Sequence, residues 1–568
     1  MDVKEGIQKA VEGAVASLGV SDVVVVLDHP AELAHGDYSS NISLAAAKKL
    51  GENPKVLAQK IVDAIGSIDG VEKIEVAGAG FINFYLSRDS FASGVENIVK
   101  SGAEWGKSDA LKGKRVMFEF TDPNPFKVFH IGHLMSNAIG ESLSRTNEWC
   151  GASVVRANYQ GDIGPHVAKA IWAMNEAKNE MPEEGASLSE KTTFLGQMYV
   201  KGDTAYNDSE ETKGVIDAIN KKLYERSDEN LNSLYDTGRR WSLAHFEEIY
   251  AILGTKFDYY FFESETGPVG LEVVQSGLKS GVFEESEGAV VYKGEKNGLH
   301  TRVFITKAGT PTYETKELGL DKTKFEKEKL DHSVIVTANE QDGFFKVVLS
   351  AMAEVLPHVA ENTQHISHGM MQLTGGKMSS RKGNVITGES LLEDMRGEAL
   401  EKMAERELGD EKPAIADAVA VSAIKYSILK QTAGKNIIFD PEKSLSFEGD
   451  SGPYLQYSYV RALSILRKAD EEGVAPSTAK MPEEISGLEK TLYRFPEVVE
   501  RAQKEYEPHY ITTFLTEIAS AFNSWYATGK IVDPADPTSP YKVALTQAFA
   551  HTMKNGLWLL GIQAPEKM

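Results

Sequence analysis

Between Arg115 and Pro165 the chain reads strand, loop, helix, strand, loop, helix, and no other stretch limits the possible folds as much. Arg115-Val116-Met117-Phe118-Glu119-Phe120 is a short apolar run of the kind buried inside a sheet, while Leu134 to Trp149 carries apolar residues at helical spacing. Ser153-Val154-Val155-Arg156-Ala157-Asn158 is a second strand, and Gly161-Asp162-Ile163-Gly164-Pro165-His166 leads into another helix. Two strands joined by a helix run parallel, which predicts a doubly wound sheet whose ligands lie beyond the carboxyl ends of its strands. The first loop, Pro123-Asn124-Pro125-Phe126-Lys127-Val128-Phe129-His130-Ile131-Gly132-His133, meets a helix N-terminus, a place that favours phosphate. Gly132 there allows a close backbone approach.

A chain of 568 residues exceeds one hydrophobic core and predicts roughly three or four domains. Hydrophobic residues at 42% and charged residues at 25% exclude wholesale disorder, collagen and a coiled-coil rod. No apolar run is long enough for a bilayer, and Met1-Asp2-Val3-Lys4-Glu5 carries no secretory signal, so a cytoplasmic location without membrane contact is expected. The single cysteine, Cys150, excludes an internal disulfide and a cysteine-rich site for protein-bound zinc. A net charge of −22 lowers the expectation of a nucleic-acid partner without removing it, because such binding depends on local basic patches.

Taken in order, residues 1–108 read as a small α+β domain with helices at Ile7–Leu18, Ile42–Leu50 and Pro54–Ile65, a β-branched run at Val23–Leu27 and a strand entered at Phe81. Residues 112–395 read as the parallel-sheet domain, with a polar helical insertion from about 172 to 262 and the sheet resuming through Ala289–Tyr292, Thr301–Ile305 and His332–Thr337. A helical connector at 396–440 and an all-α domain at 441–568 follow. The second loop, Gly375-Gly376-Lys377-Met378-Ser379-Ser380-Arg381-Lys382-Gly383-Asn384, is no Walker A loop, since Met378 follows the lysine. Alone it reads as a solvated basic turn. His130 and His133 alone read as structural polar residues, and no third ligand supports a metal site. Tyr454, Tyr457 and Arg461 share a helix face that serves either as core or as a stacking surface for unpaired bases.

In combination these pieces carry more. A strand, a His-Ile-Gly-His corner, a parallel sheet and a distant Lys-Met-Ser loop resemble the two-part signature of class I aminoacyl-tRNA synthetases. Within that class the chain resembles the arginyl-tRNA synthetase family along its whole length. The resemblance rests on Gly36–Asn41 and Gly80–Phe84, on Glu119–Asn124 running into Lys127 and His130, on Gly161–Gly164, on Ser451–Tyr457, and on the ending Leu559–Met568.

It implies a Rossmann-like catalytic domain between an α+β N-terminal domain that contacts the tRNA elbow and an all-α anticodon-binding domain. It also implies ATP, carried with magnesium, L-arginine and the cognate arginine tRNA as substrates of a monomeric ligase. His130, Gly132, His133, Lys377, Met378, Ser379 and Lys382 would bind ATP, with Lys127, His130, His133 and Lys377 supplying catalysis. Ser380 stands where the usual second lysine of the loop is found, and Lys127 matches a lysine thought to take over that charge. Glu119, Asn124, Tyr313, Glu317 and Gln341 would bind arginine, with Glu317 in place of the aspartate of many members. Tyr454, Tyr457 and Arg461 would face tRNA, with Phe522, Trp525 and Tyr526 as further candidates. A small-molecule nucleotidyltransferase would lack the helical C-terminal domain, and a silent tRNA-binding relative would lack the intact histidines and Lys377. A synthetase for another amino acid is the third alternative.

Overall fold

Tyr38–Ser40 (β1), Val71–Ala77 (β2) and Phe81–Leu86 (β3) form an antiparallel sheet in the order β1-β3-β2. The computed structural model describes residues 3–20, 23–374 and 387–568. Helices Val3–Ser17, Pro54–Ile65 and Arg88–Ser101 cover the sheet around a core that includes Ile7, Val11, Leu57, Ile61, Ile82 and Phe84. Pro54 occupies the first turn of its helix as expected, and the Asn53 side chain caps it by accepting from the Lys55 amide at 2.9 Å. The β-branched run at Val23–Leu27 makes no strand: only Asp28 bridges to Ser39, and Val24 stays 83% exposed.

This N-terminal fold belongs to a larger unit comprising Met1–Gly106, Tyr457–Glu497 and Phe514–Asn555. Ile485 and Tyr493 pack against its core, and Arg88 pairs with Glu489 at 2.7 Å. Glu497 accepts from Tyr38 at 3.0 Å and pairs with Lys4 and His29, which hold its carboxyl down at about 2 although burial opposes them. Val498–Thr513 and Gly556–Met568, within the stretch expected as an all-α domain from 441, group instead with Lys107–Gln456 in the second compact unit. Helical periodicity marks the helices but carries no information on which core each one joins.

The second unit is built on five parallel strands: Arg115–Glu119 (β4), Ser153–Gln160 (β5), Tyr259–Phe262 (β6), His332–Ala338 (β10) and Thr363–His368 (β11), in the order β11-β10-β4-β5-β6. Phe118 of β4 pairs with Val334 on one side and Arg156 on the other. Val116, Met117 and Phe118 are buried, and each such side chain adds roughly 1.5–3 kcal/mol. Chain order reverses at β4: the helix Ile131–Trp149 leads to β5 on one side, and β10 returns to the other. That switch lies at the carboxyl ends of β4 and β10, after Glu119 and before Gln341, the place where sheets of this kind bind their ligands.

Two sheet assignments differ from expectation. The insertion ends at Leu253, and Tyr259–Phe262 already forms β6, so the sheet resumes inside the stretch expected to be helical. Ala289–Tyr292 (β8) instead pairs antiparallel with Glu284–Ser286 (β7) on one side and Arg302–Ile305 (β9) on the other in a separate three-stranded sheet. Met371–Leu373 (β12) and Ile437–Phe439 (β13) pair in parallel and bring residues on either side of the second loop together. Among the described residues no helix is long and apolar enough to cross a membrane.

Candidate active site

The corner after β4 holds a backbone that most side chains avoid. Thr121, Asp122 and Phe126 have φ of 80°, 49° and 67°, left-handed values that are strained for a β-branched or bulky residue. Surrounding hydrogen bonds fix them. The Thr121 amide donates to Ser136 Oγ at 2.9 Å, its hydroxyl oxygen accepts from Asn137 at 3.0 Å, Asp122 accepts from the Tyr159 amide at 2.7 Å, and the Phe126 amide donates to Ser242 Oγ at 3.0 Å.

His130 and His133 stack with ring centroids 3.4 Å apart and an interplanar angle of 22°. The His130 amide donates to His133 Nδ1 at 3.1 Å. A Cβ on Gly132 would stand 2.9 Å from His130 Cε1, so the glycine makes room for the histidine stack. His133 is buried, whereas His130 keeps part of its surface exposed while its ring is partly desolvated. Burial, with His130 and Lys127 beside it, pushes His133 well below the usual imidazole range; burial and then Lys127 lower His130. Both rings are neutral hydrogen-bonding groups at neutral pH.

Lys377, Met378, Ser379 and Lys382 lie outside the described residues. The residue that follows that segment is held at the corner: Thr387 bridges to His130, and the Gly388 amide donates to the Phe129 carbonyl at 2.8 Å. Two residues on, Glu389 lies 2.5 Å from His245 of the insertion's last helix.

Asn124 accepts from the Gly161 amide at 3.1 Å, and a Cβ on Gly161 would meet Asn124 Oδ1 at 2.2 Å and Glu263 Oε1 at 3.2 Å. Glu263, at the end of β6, is buried and paired with buried Lys316. Burial raises the Glu263 carboxyl against the pull of Lys316. Lys127 lies over the Tyr199 ring at 5.6 Å, and burial lowers its ammonium while Glu263 supports the charge. Tyr313 is 60% exposed at the start of the helix Tyr313–Lys327, its ring 5.2 Å from Lys316. His166 shares a hydrogen bond with the Gly161 carbonyl at 2.8 Å, and burial takes it down to about 4. Asp162 is fully buried, accepting from Ser264 Oγ at 2.7 Å and Tyr235 at 2.8 Å beside Arg239 at 3.2 Å.

Glu119 and Glu317 meet in a separate buried group. Glu119 is ion-paired with Lys324, which also lies 2.8 Å from Asp321. Burial raises Glu119 with Lys324 opposing, and burial followed by Asp321 and Glu119 drives Glu317 well above the carboxylate range. Gln341 is exposed in the turn after β10. Sequence reasoning missed Glu263, Lys316, Asp321 and Lys324; the only signal for the last two was their four- and seven-residue spacing from Glu317. Among the described residues no cluster of histidine, cysteine and carboxylate side chains has the form of a metal site.

On the helical side, Arg461 lies between the rings of Tyr457 at 4.9 Å and Tyr526 at 5.3 Å and donates to Asn523. Trp525 is half-buried, as is Tyr454. Phe522 does not belong with them: it has no exposed surface and stacks on Phe549 with centroids 4.0 Å apart at 4°. It is a core residue, because its position on the helix His509–Tyr526 faces inward.

Three family models match the chain: the N-terminal domain of arginyl tRNA synthetases at residues 1–86, the class I (R) tRNA synthetase catalytic domain at 94–441, and the DALR anticodon binding domain at 455–568. The arginine–tRNA ligase of Treponema denticola is 32% identical over 92% of this chain and 91% of its own. That of Clostridium perfringens is 31% identical with both chains covered in full. The solved arginyl-tRNA synthetase of Thermus thermophilus covers 100% of both chains at a TM-score of 0.79 and 26% identity. The Plasmodium falciparum structure shares the fold, with a TM-score of 0.80 at 20% identity over 100% of this chain and 99% of its own.

Proposed function

The chain belongs to the arginyl-tRNA synthetase family, and from that premise we propose that it attaches L-arginine to its cognate tRNA by way of an arginyl-adenylate. The arginine carboxylate attacks the α-phosphorus of ATP, the bond to the bridging oxygen breaks, and pyrophosphate leaves. The terminal ribose hydroxyl of the tRNA then attacks the arginyl carbonyl, and AMP departs with the bonding pair.

The observation that carries this reading is the convergence of the histidine stack, Asn124, Lys127 and Gln341 on the carboxyl ends of β4 and β10. His130 and His133, neutral and set at a helix N-terminus, donate to ATP phosphates as charge develops there. Lys127 adds a cation on the same side, and Lys377 of the second loop screens the departing pyrophosphate. Gly132, Met378, Ser379 and Lys382 complete the ATP contacts, with magnesium entering as part of the ATP substrate. Asn124 and Gln341 hold the α-amino and carboxylate end of arginine, Tyr313 lines the mouth, and Glu119 and Glu317 supply the negative charge that a guanidinium fork demands. Tyr454, Tyr457, Arg461, Trp525 and Tyr526 present a face for unpaired tRNA bases. The protein acts as a cytoplasmic monomer.

Exchange of labelled pyrophosphate into ATP tests this, run with each amino acid in turn, with and without tRNA. Exchange is expected with arginine alone and only when tRNA is present. Exchange driven by another amino acid would overturn the assignment.

A further inference from the structure

The helix Tyr313–Lys327 turns Glu317, Asp321 and Lys324 to one face, four and three residues apart, toward the carboxyl end of β4. Lys324 and Asp321 have no exposed surface, and Glu317 and Glu119 keep 5% and 2%. One ammonium therefore serves three buried carboxylates, and it does not serve them equally. Lys324 pairs with Glu119 Oε2 and Asp321 Oδ1. Glu317 Oε1, like Asp321 Oδ2, is cut off from solvent with no hydrogen-bond partner, but Glu317, unlike Asp321 and Glu119, makes no ion pair with Lys324. A buried carboxylate without a counter-charge is strongly unfavourable, and such groups are retained where a ligand supplies what is missing. Asp122, after β4, and Tyr159 of β5 also face this group, and neither contributes a cation.

We propose that Lys324 is a specificity-determining positioning residue of the arginine pocket: by engaging Glu119 and Asp321 it leaves the Glu317 carboxyl, which gives up its proton as the guanidinium enters, for the substrate. The inference rests on reading Glu119 and Glu317 as that pocket. Lys324 is a fixed internal cation already engaged by two carboxylates, so Glu317 lacks a counter-charge until arginine enters. A neutral isostere such as citrulline would leave Glu317 unpaired. Without Lys324, which pulls both acids down, Glu119 and Glu317 hold their protons more tightly, and arginine has to displace them at a greater cost.

The test is steady-state pyrophosphate exchange with tRNA present, read as arginine KM, ATP KM and kcat across pH. Lys324→Met is expected to raise the arginine KM at least ~10-fold while ATP KM and kcat stay within about twofold, and to move the fall of arginine KM with rising pH upward by about one unit. Lys324→Arg, which keeps the charge, should restore KM to within about threefold. Should Lys324→Met fail to fold, the near-isosteric Asp321→Asn serves: it frees Lys324 to compete for Glu317 and should raise arginine KM about fivefold without moving the pH midpoint. An unchanged arginine KM in the folded variants, or equal changes in kcat and ATP KM, would overturn the inference. Glu317→Gln separates the two levels. If it raises arginine KM and the Lys324 and Asp321 variants do not, only the role of Lys324 fails; if it leaves KM unchanged, the pocket assignment fails.

Discussion

The backbone N–H of His130 donates to Nδ1 of His133 across 3.1 Å, which leaves the hydrogen of the buried His133 ring on Nε2. A neutral imidazole fixed in one tautomer is a directed donor with no charge to desolvate. His133→Ala should lower the arginine-dependent exchange rate by about 10²–10³-fold with arginine KM within about threefold, the pattern of an interaction made chiefly in the transition state. An unchanged rate would remove His133 from the phosphate site.

Lys127 is half-buried beside Glu263, Lys169 and Asp203, so its charge is held near the corner without a direct ion pair at the histidines. Lys127→Ala is expected to slow adenylation by roughly 10–100-fold and to change arginine KM by much less. Lys377→Ala should behave alike. Equal losses in rate and in arginine binding would contradict the assigned role.

Glu119 and Glu317 are the buried acids assigned to the guanidinium. Glu119→Gln should erode the preference for arginine over lysine by ~10-fold or more, measured as the ratio of kcat/KM values, because the rejection depends on leaving a buried acid unsatisfied. Retained discrimination would place its source elsewhere.

His166 and His365 are half-buried, His365 stacking on Phe345 at 4.0 Å, and desolvation of their rings takes both down to about 4. Unfolded histidine takes its proton near 6.5, so between pH 6.5 and about 4 unfolding takes up protons. Stability is full above pH 6.5 and falls with acid through that window. Denaturant midpoints from pH 7 to 4.5 should show the decline, and His166→Gln, which keeps a donor toward the Gly161 carbonyl, should flatten it.

Phe522→Ala and Arg461→Ala separate the two sides of the tRNA face. The first removes a buried stack and should cost about 3–5 kcal/mol of stability. The second should raise the KM for tRNA with little change in Tm. A shift of tRNA KM with no loss of Tm in Phe522→Ala would reverse the assignment.

The corner was legible because its signals are local: a continuous apolar run before a loop and a period-3.6 pattern after it fix strand, turn and helix at Arg115–Trp149. The reason for Gly132 was only half legible, since the nearest obstacle to a Cβ is the His130 ring, a rotamer-level fact. Asp321 and Lys324 were hidden because a charged helical face reads as a solvated one until tertiary packing turns it inward. Tyr259–Phe262 was lost against the helical stretch before it, and no pattern tells which sheet Ala289–Tyr292 joins. The division of the C-terminal helices between two units depends on contacts such as Tyr493 on the N-terminal core, which local periodicity does not encode.

The most direct measurement is a crystal structure with arginine and a non-hydrolysable ATP analogue. It should place the guanidinium within hydrogen-bonding distance of Glu317, the α-amino group beside Asn124, and the triphosphate against His130 and His133. A guanidinium bound away from the Glu119 and Glu317 carboxylates, with Lys324 still the only cation among them, would contradict the account.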